Sequence, residues 1–359
     1  MDYMTTKLKQ YFPLAWERDE ILSEIQSHPQ LSKIYEGWKE KQRMEFLDFM
    51  TGVRGIKFLY DSFFKELMNP EFAPERLEEF LSLLLGNKIK ILSVLPVDST
   101  RIADEGSLLV MDIVVQLESG EIVDLEIQKI GYMFPGQRSA CYSSDLLLRQ
   151  YKRIRSDENE KTFSYRDIKN VYTIVLFESS PEIFHKFPDI YLHYFEQQSN
   201  TGLEMDLLQK YLFVPLDIFK KKMHNKNKKE AENKLEAWLL FLCDDDPETV
   251  LQLSEDYPEF KKMYEEGYQM CRNIEGVMKM FSKELEQLDR NTAQLMIDEM
   301  QKRINEQNDQ IVEKNNQLKE KDLARERAIK KCYLKLKDID SVADIMGTSR
   351  AEVEKILQI

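Results

Sequence analysis

The stretch Leu108-Leu-Val-Met-Asp-Ile-Val-Val-Gln-Leu-Glu-Ser-Gly-Glu-Ile-Val-Asp-Leu-Glu-Ile-Gln-Lys-Ile130 alternates so strictly that it reads as one β-hairpin with chemically opposite faces. From Val110 to Leu117 the odd positions are Met111, Ile113, Val115 and Leu117, with Asp112 among the even ones. From Glu121 to Gln128 the odd positions include Val123, Leu125 and Ile127, and the even ones include Asp124, Glu126 and Gln128. Period two marks a strand with one face buried. A three-residue loop, Glu118-Ser119-Gly120 with Gly120 left-handed, sets Leu117 opposite Glu121 and Asp112 opposite Glu126. A two-residue Ser119-Gly120 turn would set Ile113 opposite Glu126 and mix the two faces, so the parity of the sheet favours the longer loop.

Carboxylates directly opposed across a strand pair repel, and a shared proton or a divalent cation is the usual relief. An all-oxygen set from Asp112, Glu126 and the Ile127 carbonyl suits Mg²⁺ or Mn²⁺. A solvated acidic hairpin face satisfies the same pattern, and the alternation alone leaves both readings standing.

These residues also resemble a known family. In the PD-(D/E)XK nuclease superfamily an Asp lies on one strand of a hairpin and a Glu-x-Lys tripeptide on the next. The likeness is narrower to the Rpn/YhgA-like branch, the PD-(D/E)XK nuclease family transposases or recombination-promoting nucleases, where the tripeptide is commonly Glu-x-Gln. The matching text is Leu108 to Val115, then Gly120 to Gln128, Phe134-Pro-Gly-Gln-Arg138, Tyr142 and Arg149-Gln150-Tyr151. It extends upstream to Tyr60-Asp-Ser-Phe-Phe-Lys65 and downstream to the Val171–Phe177 strand.

The resemblance implies a restriction-endonuclease-like α/β core, with Asp112 and Glu126 as metal ligands and Gln128 where the superfamily pattern has lysine. A lysine there orients the attacking water and offsets negative charge, whereas a neutral amide only hydrogen-bonds. Lys129 is expected to point to the opposite, apolar face. The implied chemistry is phosphodiester hydrolysis assisted by a divalent ion. Folds of this type often recruit an acid from the preceding helix, here Pro74 to Leu85. Its buried stripe is Leu77, Phe80, Leu81 and Leu84, with Glu75, Glu78 and Glu79 outside it, and Glu79 is the candidate.

After Gly131 and Pro135-Gly136 a helix is expected from Gln137 to Arg155. Arg138, Tyr142, Asp145, Arg149 and Lys152 recur at spacings of four and three, which stacks them on one face. Such a face can grip a phosphate backbone, or it can simply be the charged outer side of an amphipathic helix. The resemblance adds Gln150 and weights Arg138 and Tyr142 as substrate-binding residues.

With 359 residues, 42% of them hydrophobic, the chain is long enough for two or three domains around a substantial core. A net charge of −13 argues against DNA binding by the whole surface. Local contact would fall to the Arg149–Arg155 cluster or the Lys220–Lys229 run. Cys141, Cys243, Cys271 and Cys332 lack the spacing of a zinc or redox motif and fit reduced thiols in a cytoplasmic protein. His28, His185, His193 and His224 are equally scattered and read as structural. No apolar run approaches a membrane span, and the first ten residues lack the apolar core of a signal peptide.

Five segments are expected: an N-terminal helical region (1–52), the nuclease-like core (53–222), a helical domain (230–290), a long polar helix (291–330) and a helix-turn-helix-like tail (331–359). In the core, Val171–Phe177, Ile190–Phe195 and Tyr211–Leu216 read as strands, the last an edge because of Pro215. Ile297, Ile304, Ile311 and Leu318 recur every seven residues, yet Gln307, Lys314 and Lys321 make this half a seam: an extended solvated helix or a weak homo-oligomer contact. In the tail, Ser341 with Asp344 and Ser349 with Glu352 mark two helix starts around Gly347-Thr348. The fold class is therefore α/β, a mixed sheet flanked by helices with a helical C-terminal extension. The expected activity is Mg²⁺- or Mn²⁺-dependent DNA cleavage linked to recombination or transposition. The alternative is a nuclease-fold binding module without turnover.

Overall fold

The computed structural model describes residues 6–96, 112–131, 134–157, 163–225 and 230–358. The 108–111 start of the hairpin and the 226–229 end of the lysine run lie outside them. Among the described residues, six strands form one sheet: β1 (Ile91–Val94), β2 (Ile113–Leu117), β3 (Ile122–Gln128), β4 (Val171–Phe177), β5 (His193–Phe195) and β6 (Gln209–Pro215). Their spatial order is β1-β2-β3-β4-β6-β5. β1, β2 and β3 pair antiparallel, β3–β4 and β4–β6 parallel, and β5 antiparallel to β6. This is the mixed sheet of a restriction-endonuclease-like fold.

The hairpin has the register that its turn chemistry requires. Ile113 pairs with Leu125 and Val115 with Val123. The Leu117 N–H donates to the Glu121 carbonyl at 2.9 Å, and Gly120, at φ +88°, donates to the Leu117 carbonyl at 2.9 Å. Gly120 is the left-handed bulge residue that a side chain would strain.

The helices are α1 (Lys7–Tyr11), α2 (Arg18–Ser27), α3 (Pro29–Gly37), α4 (Glu40–Thr51), α5 (Asp61–Leu67), α6 (Pro74–Leu85), α7 (Pro135–Asp157), α8 (Leu216–Asn225), α9 (Lys234–Cys243), α10 (Pro247–Asp256), α11 (Pro258–Met270), α12 (Ile274–Leu336), α13 (Ile339–Met346) and α14 (Arg350–Leu357). The odd-numbered hairpin residues enter one continuous core with Ile174, Leu176, Leu212 and Val214. That core also takes Phe46, Phe49 and Phe58 from the N-terminal region and Trp238, Phe241, Tyr264 and Phe281 from the later helices. Phe58 stacks on Phe241 with centroids 4.4 Å apart. Such ring contacts add about 1 kcal/mol each to burial, so within residues 1–293 the sheet packs with helices that precede and follow it in sequence. The opposite face of β2–β4 lies under α7 through Val114, Ile122, Tyr142, Leu146 and Val171.

Some strand expectations change. β6 lies inside the sheet, between β4 and β5, and Pro215 is tolerated because it is the last residue of the strand, beyond the Tyr211–Phe213 stretch that pairs with β5. The Ile190–Phe195 run is a strand only from His193, because Tyr191 and Leu192 turn into the core. β1 was not expected: Leu92 and Val94 are exposed, so this edge strand carries no alternation to read.

The chain forms two compact units, 1–293 and 294–359. In the second, α12 exposes Ile297, Ile304, Ile311 and Leu318, and α13 and α14 close a small core of Ile329, Val342, Ala343 and Val353. Asp338, rather than Ser341, caps α13, accepting from the Ser341 N–H at 3.0 Å. Arg350 is neutralised by Asp340 and Glu354. No helix among the described residues is long and apolar enough to cross a membrane.

Gly120→Ala should destabilise the protein by about 1 kcal/mol, read as a lower urea midpoint at unchanged slope. An unchanged midpoint would mean that this turn does not set the register.

Candidate active site

One step beyond Ile113/Leu125 the same register brings Asp112 opposite Glu126. Because Leu117 and Glu121 are a hydrogen-bonded pair, alternation makes Asp112 and Glu126 a non-hydrogen-bonded one, where opposed side chains approach most closely. Each acid fastens to the other's strand. The Asp112 N–H donates to Glu126 Oε1 at 3.0 Å, and the Ile127 N–H donates to Asp112 Oδ2 at 2.7 Å. These reciprocal bonds fix both carboxylates against the backbone.

Asp112 also meets a cation from another element. Lys65, on α5, places Nζ 2.7 Å from Asp61 Oδ1 and 3.1 Å from Asp112 Oδ1. Asp61 and Lys65 are one helical turn apart, so α5 presents the pair together while Phe63 and Phe64 anchor its other side in the core.

A third acid lies deeper. Asp124 shares the even face with Glu126, is fully buried, and lies within hydrogen-bonding reach of the Glu126 carboxyl, while no N–H reaches either of its oxygens. Its strand neighbour Thr173, and Gln128, Ser139 and Ser143, are buried beside this face with side-chain polar atoms that find no protein partner. Burial is the main cause that pushes all three carboxyls upward: Asp112 above the ordinary range, Glu126 well above it with Asp124 and Asp112 adding repulsion, and Asp124 to about 8.

A family model for PD-(D/E)XK nuclease family transposases matches residues 59–296. The chain belongs to that family. Comparisons with curated proteins and with solved structures gave no match. The matched span opens at Leu59, immediately before the Tyr60–Lys65 segment, and contains every residue of the acidic site.

The other sequence-derived candidates divide. Glu79 is not brought to the acids: it accepts from Trp238 Nε1 at 2.8 Å and faces Lys234 at 4.0 Å, binding α6 to α9. Its neighbour Glu78, read as outside the buried stripe, is buried and accepts from Lys90 and from the Ile91 N–H at 2.9 Å. Along α7 the stacked face turns inward. Tyr142 is buried in the apolar cluster over β2–β4, its hydroxyl raised by burial, and the Arg138 guanidinium lies 5.0 Å from its ring. Asp145 is buried and paired with Arg149, which also donates to the Pro96 carbonyl at 2.8 Å. Gln150 is buried and bonds both backbone groups of Lys169. Lys152 is exposed. At a rise of about 1.5 Å per residue, Lys152 is about 21 Å along the helix from Arg138. Arg138, in the first turn of α7, is therefore the basic residue of that helix face nearest the exit of β3.

Lys129 turns to the apolar side, as the alternation requires. It pairs with Glu284 of α12 and sits 4.2 Å from the Tyr60 ring centroid. Beyond it the exits of β3 and β4 stay joined: Glu178 donates to the Gln128 carbonyl at 2.9 Å, Ser179 to that of Lys129 at 3.1 Å, and Gly131 to that of Ser179 at 2.8 Å. A β-carbon at Gly131 would overlap Pro181.

Lys65 and Asp124 received no role from the sequence, although both lie in the segments that carry the family resemblance. The Asp61/Lys65 spacing and the even position of Asp124 were the available signals. Among the described residues no three His, Cys, Asp or Glu side chains form a ready-made metal cage. The donor set is all oxygen, and no N–H satisfies the buried oxygens of Asp124, which suits a hard divalent cation.

The pH dependence follows from the raised carboxyls. A folded-state pKa near 8, against 3.8 for an ordinary Asp, gives stability that is complete below about pH 4 and lost as pH rises through 8. Chelator-treated protein should therefore show a Tm that falls from pH 5 to pH 8.5. Asp124→Asn should lessen that fall, with the remainder left to Asp112 and Glu126, and Mn²⁺ should raise Tm more at pH 8 than at pH 5. Equal slopes in the wild type and the Asn variant would count against this assignment.

Proposed function

We propose that this family member is a metal-dependent DNA endonuclease that hydrolyses phosphodiester bonds with Mg²⁺ or Mn²⁺ and serves DNA recombination or transposition. The observation that carries the reading is the pair Asp112 and Glu126, opposed in register and locked by reciprocal side-chain-to-backbone bonds. Asp112 and Glu126 would hold the ion, with the Ile127 carbonyl as a further oxygen. When bound, the ion supplies Lewis-acid polarisation of a phosphate oxygen and a lowered pKa for its water.

The chain's own residues supply the rest. Lys65 brings a positive charge to the Asp112 carboxylate, at the site where Gln128 has none to give. That charge would offset the negative charge developing on the phosphate. Gln128, with both amide atoms buried and without protein partners, would hydrogen-bond the attacking water or a phosphate oxygen. Arg138 would hold a phosphate at the acid end of α7, and Lys152 would touch the backbone farther along the strand. Arg149, Tyr142 and Gln150 would act by holding α7 on the sheet.

With a net charge of −13, DNA contact would be confined to this basic edge, and affinity would fall steeply with salt. Self-association would run through the apolar stripe of α12. The four free cysteines accord with a cytoplasmic, reducing setting.

A second reading, a nuclease-fold DNA-binding module without turnover, draws on one observation: Lys65 is already committed to two carboxylates. Asp112→Ala and Glu126→Ala should each lower cleavage at least about a hundredfold while circular dichroism stays unchanged. Cutting retained in both would remove the mechanism. Calorimetric titration with Mn²⁺ and duplex DNA separates the second reading, which requires tight DNA binding and no product with either metal. Lys65→Met should reduce kcat by about a hundredfold or more with little change in KM. A pure KM effect would make Lys65 a binding residue instead.

A further inference from the structure

α5 has seven residues, and its first N–H groups need acceptors from outside the helix. The residue before it, Tyr60, has no side-chain acceptor for them. The acceptor comes from α12: Glu284 Oε1 receives the Asp61 N–H at 2.7 Å. A carboxylate there also meets the positive end of the helix dipole. The other oxygen of Glu284 pairs with Lys129, the residue that follows Gln128 at the end of β3, and both side chains are buried. One carboxylate thus joins the segment that carries Lys65 to the segment that carries Glu126 and Gln128.

We propose that Glu284 is a positioning residue of the site, whose carboxylate, by holding the start of α5 against the end of β3, sets the Lys65 ammonium on Asp112. This deepens the nuclease reading and rests on it only for its effect on cleavage. A buried ion pair replaced by neutral groups of similar volume costs little stability, whereas one partner removed alone leaves a stranded charge. The role of Glu284 is therefore separated from its charge by changing both partners.

Glu284→Gln/Lys129→Met removes the ion pair and keeps an oxygen for the Asp61 N–H. Glu284→Leu/Lys129→Met removes that oxygen as well. The first readout is the acylation rate of Lys65 by a water-soluble active ester, followed by peptide mass spectrometry without metal or DNA. Release from its two carboxylates should raise the Lys65 rate about fivefold in the Leu pair, with the Gln pair restoring the wild-type rate. The second readout is cleavage: kcat should fall about ten- to a hundredfold in the Leu pair at unchanged KM, with rescue by the Gln pair.

Equal labelling and equal kcat in the two pairs would overturn the proposal, and so would a rise in both, which would assign the effect to the ion pair. If the Leu pair does not fold, Glu284→Met/Lys129→Met takes its place with the same expectations. If Asp112→Ala abolishes cutting but the Leu pair cuts like the Gln pair, the positioning role fails and the nuclease reading stands. If wild-type protein cuts no DNA, the labelling comparison alone decides.

Discussion

Two carboxylates facing each other across antiparallel strands are an unfavourable pair, and the molecule is built around keeping them there. Asp112 and Glu126 each spend one oxygen on a backbone N–H of the other strand, which removes their freedom to turn away. That lock depends on the register, and the register depends on Gly120. A slip of one residue would send Asp112 and Glu126 into the core that holds Ile113 and Leu125. The same parity that buries one face in aromatic residues therefore collects the acids on the other.

Charge is then balanced from a distance in sequence. Lys65 approaches from α5, Lys129 is drawn to the other side by Glu284, and Arg138 approaches from α7 over the Tyr142 ring. Lys65 thus meets the site directly at Asp112, whereas Lys129 is held away from it by Glu284 and Arg138 faces a ring. Asp124 remains beneath as a fully buried acid of the hairpin that no N–H reaches. The family assignment gives such an arrangement its natural use, because a nuclease needs concentrated negative charge to hold a divalent cation and nearby positive charge to accept a phosphate.

Period-two alternation and the Gly120 turn made the hairpin legible from sequence, and the helix spacing made α6 and α7 legible, because these signals are local. The inward turn of α7 was not, because helical spacing identifies a face without saying which way it looks. Tyr142 decided that orientation by packing on Val114 and Ile122, a contact made only once the sheet exists. Pro215 misled because a missing N–H matters only where a neighbour asks for it, and β5 stops short of it. Lys65, Glu284 and the destination of Glu79 escaped for the same reason. Ion pairs and caps between residues 47 to 223 positions apart leave no spacing to read.

Gly131 has a consequence for how this protein can diversify. Its chain passes so near Pro181 that only hydrogen fits on the α-carbon, and the backbones leaving β3 and β4 remain stitched together through that crossing. The end of β3 is thus a fixed rail on which Gln128 rides. New specificities would have to arise on the helices that approach the rail, such as the opening turn of α7, because any bulk introduced at the crossing would pry the two strands apart before it reached a substrate.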